Sequence, residues 1–171
     1  MKLAGILIIA LMSSYFSCND KDAEKISGEG DDVAIIFTID SHTRMINAKE
    51  READEINLEE YPIKTLFRKK GGNNSFEVNL NFYEKDILDK IPVTYSLPED
   101  NLENVKIDLN FIDFGREVEK TLHSRLLFDQ GSIIIHQIDS DGIHFEFEGE
   151  VHELMNDPKR SVVSGRVNVQ Y

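Results

Sequence analysis

The amino-acid sequence predicts an all-β fold, either an antiparallel β-sandwich or a small β-barrel, with short strands and at most one short helix. Three observations lead there. From residue 33 onward, apolar and polar side chains alternate with period two, the signature of strands with one buried face. Gly, Pro, Asn and Asp recur between the alternating stretches, where turns are needed. Helical spacing is confined to short, highly charged segments. Hydrophobic residues make up 40% of the 171 residues. A domain of about 140 residues buries roughly two-thirds of its unfolded surface, so packing suffices without a metal or disulfide staple.

Taken in order, Val33–Ile39 is almost wholly apolar and suits a strand buried on both sides. Segments 63–67 and 76–83 flank a Lys-Lys-Gly-Gly-Asn-Asn loop at 69–74, and Phe76, Val78, Leu80 and Phe82 share one face. Val93, Tyr95 and Leu97 alternate between Pro92 and Pro98; flanking prolines mark a short edge strand. Val105, Ile107, Leu109 and Phe111 alternate with Lys106, Asp108 and Asn110, and segment 118–128 alternates more weakly. The last third reads as three consecutive strands, 131–138, 143–151 and 162–171. Ser140, Asp141 and Gly142 fit a three-residue hairpin loop with the glycine left-handed, and Asn156, Asp157 and Pro158 mark the next turn. Strands joined so tightly run antiparallel. Segment 48–60 holds eight charged residues and fits a surface helix or an irregular acidic connector equally well; residues 86–90 fit one helical turn. No repeat of fixed period is present.

The amino terminus follows different rules. Lys2 precedes an apolar run over residues 3–12, then Ser13, Ser14, Tyr15, Phe16, Ser17 and Cys18. That run is shorter than the roughly 20 residues a membrane-spanning helix needs and matches the core of a signal peptide. Ordinary signal peptidase requires small residues at the last and third-last positions before its cut; Tyr15 spoils a cut after Ser17, and Phe16 one after Cys18. The ending resembles the lipobox of bacterial lipoproteins, in which a small residue directly precedes a cysteine that becomes the acylated amino terminus. Ser17 and Cys18 match its two most restrictive positions, whereas Tyr15 and Phe16 depart from the aliphatic and small residues usual there. The resemblance implies a signal peptide at 1–17, lipid attachment at Cys18 and a lipid bilayer as partner. It also implies a place in the cell envelope, anchored to the outer membrane and facing the periplasm or the exterior. Cys18 is the only cysteine, and an exported chain with one leftover thiol is unusual; acylation uses that thiol. Residues 19–32 are rich in acids, carry Gly28 and Gly30 and lack apolar periodicity. They read as a flexible tether spanning roughly 20 Å, so the lipidated cysteine and tether occupy 18–32 and a single all-β domain occupies 33–171.

Charge narrows the partners. The net charge is -13, and loss of residues 1–17 removes one Lys and no acid. So acidic a chain is repelled by phosphate backbones, which excludes nucleic acid, and by anionic lipid surfaces.

The most suggestive chemistry lies on 143–152. Ile143, Phe145, Phe147, Gly149 and Val151 point one way, and His144, Glu146, Glu148, Glu150 and His152 the other. Strand residues two apart lie about 6.5–7 Å from each other, close enough for His and Glu to converge on one cation. With a three-residue loop, Asp139 pairs with Ile143, and His136 falls opposite Glu146 beside His144. A two- or four-residue loop puts His136 opposite a phenylalanine instead. The same alternation describes a solvated face on which Arg166 or Lys159 offsets the glutamates. The sequence therefore assigns no metal ligand, no catalytic residue and no cofactor.

Other motifs fall short. Asp139, Ser140, Asp141 and Gly142 match part of a calcium loop but lack its third acid and distal Glu. Ser161 and Ser164 have no nucleophile-elbow context. There is no Trp, and Tyr61, Tyr83, Tyr95 and Tyr171 suit either a ligand surface or half-buried strand ends. The expected function is a non-enzymatic, membrane-tethered binding or accessory module for an envelope protein or a small-molecule ligand. Two alternatives stand beside it. One is a lipocalin-like carrier of a small apolar ligand, with Phe76, Phe82, Phe111, Phe145 and Phe147 lining a cavity. The other is a metal-dependent enzyme using the His/Glu strand.

Overall fold

A computed structural model describes residues 33–52, 55–69, 76–113, 124–154 and 160–171. The leader and tether, Cys18 included, lie outside the described residues, as do the 70–75 loop, residues 114–123 and Lys159. Among the described residues the fold is all-β and antiparallel: β1 (Val33–Ile39), β2 (His42–Asn47), β3 (Glu55–Asn57), β4 (Ile63–Arg68), β5 (Phe76–Phe82), β6 (Val93–Leu97), β7 (Ile107–Asp113), β8 (Ser124–Ile138), β9 (Gly142–Glu153) and β10 (Arg160–Gln170). One helical turn, α1 (Ile87–Lys90), falls where residues 86–90 predict it. No described helix is long and apolar enough to cross a membrane.

All ten strands belong to a single sheet in the order β2-β1-β10-β9-β8-β7-β5-β4-β3, with β6 also on β8. The sheet curls into a half-barrel, in keeping with the all-β antiparallel fold that the sequence predicts. Four strands separate β1 from β5 along it, yet Phe37 on β1 meets Phe76 on β5 edge-on at 5.1 Å and Phe111 on β7 at 5.0 Å. Phe111 in turn lies 5.3 Å from Phe147 of β9. Each such ring pair adds about 0.5–1.5 kcal/mol beyond simple burial, and together they hold the two arms of the sheet against each other. Phe67, Phe82 and Phe145 are wholly buried in the same core.

The curl has a local cause in β8. Its first half, Ser124 to Phe128, pairs with β7; its second, Gly131 to Ile135, pairs with β6 on the same edge. Between them the register against β9 slips at Asp129. Gly131 sits there with φ of 126°, directly opposite Gly149. A Cβ on Gly131 would be driven into the Glu148 carbonyl oxygen, and one on Gly149 into that of Gln130. Two facing glycines therefore let β8 and β9 approach and bend together. β6 is tied down separately: Tyr95 is buried and donates a 2.9 Å hydrogen bond to Glu84, which also binds Lys90 at 2.6 Å. Burial, then the Glu84 carboxylate, pushes the Tyr95 hydroxyl pKa far up.

Several elements differ from the sequence reading. Of segment 48–60, which fits a helix or an irregular connector, the described residues form a single 3₁₀ turn at Ala48–Glu50 and the strand β3. β2 is an additional strand, joined to β1 by Asp40 and Ser41, both at positive φ, a two-residue turn of the primed type. Asp40 is held there by bonds from Ser161 (2.6 Å) and the Val162 amide (3.1 Å). Within the described residues, segments 118–128 and 131–138 belong to one long strand, β8.

Gly131→Ala is expected to cost about 2–3 kcal/mol, because it strains both backbone and contact; urea unfolding measures it. A loss within about 0.5 kcal/mol, typical of neutral surface changes, would show that the glycine does not set the bend.

Candidate functional site

On the outer face of the curl, β8, β9, β10 and β1 lie side by side. Pairing sets two rows across them. In the first, Ile134 faces Glu146, Glu146 faces Arg166, and Arg166 faces Ile36; in the second, Ser132, Glu148, Ser164 and Thr38 follow one another. These eight residues, with Phe37, Phe147 and Gly165, line an open depression of about 300 Å³. That volume is at the small end of the range for ligand sites. Its walls are two carboxylates, one guanidinium and two serine hydroxyls around isoleucines. Glu148 and Arg166 make no ion pair among the described residues.

At one end of this depression stand His136, His144 and Glu146. The three-residue loop does not form. Ile138 pairs with Ile143, which leaves 139–142 between them, and Gly142 takes no positive φ. A loop of that length would turn His136 toward the core, opposite Phe145. It does not, because the register slips again between Ile135 and Gln137, making His136 an extra residue in the strand. Ile135 and Ile138 are buried while His136 is 38% exposed. The bulge thus restores by a different route the neighbourhood that the sequence predicts. His136 Nε2 lies 3.8 Å from Glu146 Oε2, and His144 Nε2 lies 3.8 Å from Glu146 Oε1. The two imidazoles stack at 4.5 Å with a 33° tilt. Partial burial, then the neighbouring His136 and Arg166, holds His144 below its ordinary pKa of 6.5 against the opposing pull of Glu146. Its imidazole is therefore biased toward the neutral form, which carries a free lone pair.

The remaining strand residues do other work. Asp129, the extra residue of the first bulge, takes a two-pronged ion pair from Arg160 at 2.8 and 3.0 Å, and His152 Nδ1 lies 3.2 Å from it. Glu150 approaches Arg160 at 3.6 Å. Burial raises the Asp129 pKa, but Arg160 and His152 more than offset this and hold it below 3.8. Asp139 accepts from the Asp141 and Gly142 amides at 2.8 and 3.0 Å and from Gln137, so it serves the turn and not a calcium loop. Tyr61 donates to the Tyr83 carbonyl, and Tyr83 reaches Asp108 at 3.5 Å; none of the four tyrosines lines the depression. Ser161 binds Asp40, and Ser164 alone of the two serines is in the depression.

Ile36, Thr38, Ser132 and Ile134 escape sequence reasoning because only strand order brings β1 and β8 to the same surface. The half-buried Ile134, inside an isoleucine run, was the one available signal. Comparison with known proteins gives no match: no family model, no curated protein and no solved structure aligns significantly with this chain.

The sign of the Asp129 shift fixes an acid response. A carboxyl held below its unfolded value contributes stability above about pH 3.8, lost as pH falls through the lower folded value. Asp129→Asn is expected to lower the urea midpoint at neutral pH and to reduce the further loss on acidification. An unchanged acid limb would mean the ion pair carries no stability.

Proposed function

We propose that this protein is an exported β module, anchored to a bacterial envelope membrane through acylated Cys18, that acts by binding a small ligand with a cationic group. The observation that carries the binding half is the depression on the outer face. Glu146 and Glu148 project from one strand beside Ser132 and Ser164, over the apolar Ile36 and Ile134. Carboxylates over an apolar floor suit a ligand with a basic head and a short hydrocarbon body. The strongly acidic chain raises the local concentration of cations around it. Arg166 supplies a donor for an anionic or carbonyl group at the other side of the ligand.

The anchor half is supported by the leader alone, through the apolar run, Ser17 and Cys18. The acidic tether after Cys18 would hold the domain roughly 20 Å from the bilayer, far enough to leave the outer face open. The carrier alternative is disfavoured by packing: Phe76, Phe111 and Phe147 are engaged with other rings, and Phe82 and Phe145 are wholly buried.

Two measurements test the halves separately. Growth with labelled palmitate is expected to mark the wild-type protein and not Cys18→Ala; equal labelling, or none in either, overturns the anchor. Thermal-shift screening of the full chain against small alkylamines and amino alcohols is expected to raise the Tm of the wild type and not of Glu148→Gln. No stabilisation by any cationic compound overturns the binding reading.

A further inference from the structure

We infer that His136, His144 and Glu146 form a binding site for a borderline divalent metal ion of the Zn2+ class at the end of the outer-face depression. The inference goes beyond the proposed amine site: it adds a metal site that shares only Glu146 with the depression.

The geometry comes from two strands and one bulge. His144 and Glu146 are two apart on β9 and share its outer face, while the extra residue in β8 brings His136 alongside them. One ligand atom from each of the three lies within 4.8 Å of the others, and both imidazole–carboxylate separations are 3.8 Å. Tetrahedral Zn2+ with bonds near 2.0–2.1 Å places its ligand atoms roughly 3.3 Å apart. Closing from separations of up to 4.8 Å requires rotation of three side chains that are each a third to a half exposed. Two nitrogen donors and one oxygen donor select the ion. Ca2+ and Mg2+ require oxygen sets, whereas imidazole with a carboxylate suits Zn2+, Ni2+ and Cu2+.

Three protein ligands leave a coordination position open. Glu146 is common to the metal set and to the depression, so a ligand lying on Ile134 and Ser132 is within reach of that position. The guanidinium of Arg166, opposite Glu146 in the same depression, opposes part of the bound charge. An exposed site of this kind exchanges its ion readily, in keeping with capture and release.

Titration of the full chain with Zn2+, followed by calorimetry and by long-range proton–nitrogen correlation spectra of the imidazoles, tests the inference. The expected result is one ion per chain, with shifts confined to the His136 and His144 rings. Glu146→Gln and His144→Ala should weaken binding by more than the 10–100-fold typical of changes outside the ligand set, whereas Cys18→Ser and His42→Ala should leave it intact. Glu148→Gln, which should abolish amine binding, should spare this ion, so failure of one reading is separable from failure of the other. Circular dichroism confirms that each variant is folded. No saturable binding, saturation by Ca2+ at equal concentration, or undiminished binding in a folded His136→Ala, His144→Ala double variant would each overturn it.

Discussion

The structure depends on the bend of β8. Along one edge of this fifteen-residue strand, β7 pairs with the first half and β6 with the second. The change of partner falls within three residues. Asp129 is extruded, Gln130 resumes the pairing, and Gly131 adopts a φ that side-chain-bearing residues avoid, against a second glycine in β9. Everything inward follows from that bend. It turns the β9-β10-β1 arm back over β7 and β5, so that Phe37 reaches Phe76 and Phe111 across the interior. A straight β8 would splay the arms and leave those rings in water, at a cost of roughly 1.5–3 kcal/mol for each.

What the bend does for the inside, the bulges do for the outside. Each extra residue in β8 delivers a polar side chain to β9 at a histidine. Asp129 meets His152 and Arg160, and His136 meets His144 and Glu146. The first group is tied by the two-pronged Arg160–Asp129 pair, which links β8 to β10 beside His152 of β9. The second is loosely held, with its imidazoles sharing one carboxylate at 3.8 Å. Similar residues on the same strands thus separate into a clamped set and a loosely held set, and a bidentate Arg is the difference.

The legible part of the sequence was the inner face. Ile143, Phe145, Phe147 and Val151, or Phe76, Val78, Leu80 and Phe82, are buried where period two puts them, because burial acts on each residue independently of strand order. Pro92 and Pro98 correctly marked β6 as an edge. Features set by backbone geometry were less legible. β2 was missed because its turn uses Asp40 and Ser41 without a glycine, and the sidedness of Asp40 comes from bonds to Ser161 and Val162 that are distant in sequence. The cluster of His136, His144 and Glu146 was foreseen on a loop length that does not occur. Two slips of register, one in the loop and one at the bulge, cancel, and no composition rule reports a bulge. The depression needed the whole strand order, since Ile36 and Ile134 are about a hundred positions apart.

The His136, His144 and Glu146 cluster exists only if His136 lies on the outer side of β8. Nuclear Overhauser contacts of the His136 ring protons decide this directly. The bulged strand predicts contacts between the His136 and His144 rings and none from His136 to the buried ring of Phe145. Contacts from His136 to Phe145, with the His144 ring apart from it, would mean an unbulged strand and would remove both the metal set and its place beside the depression.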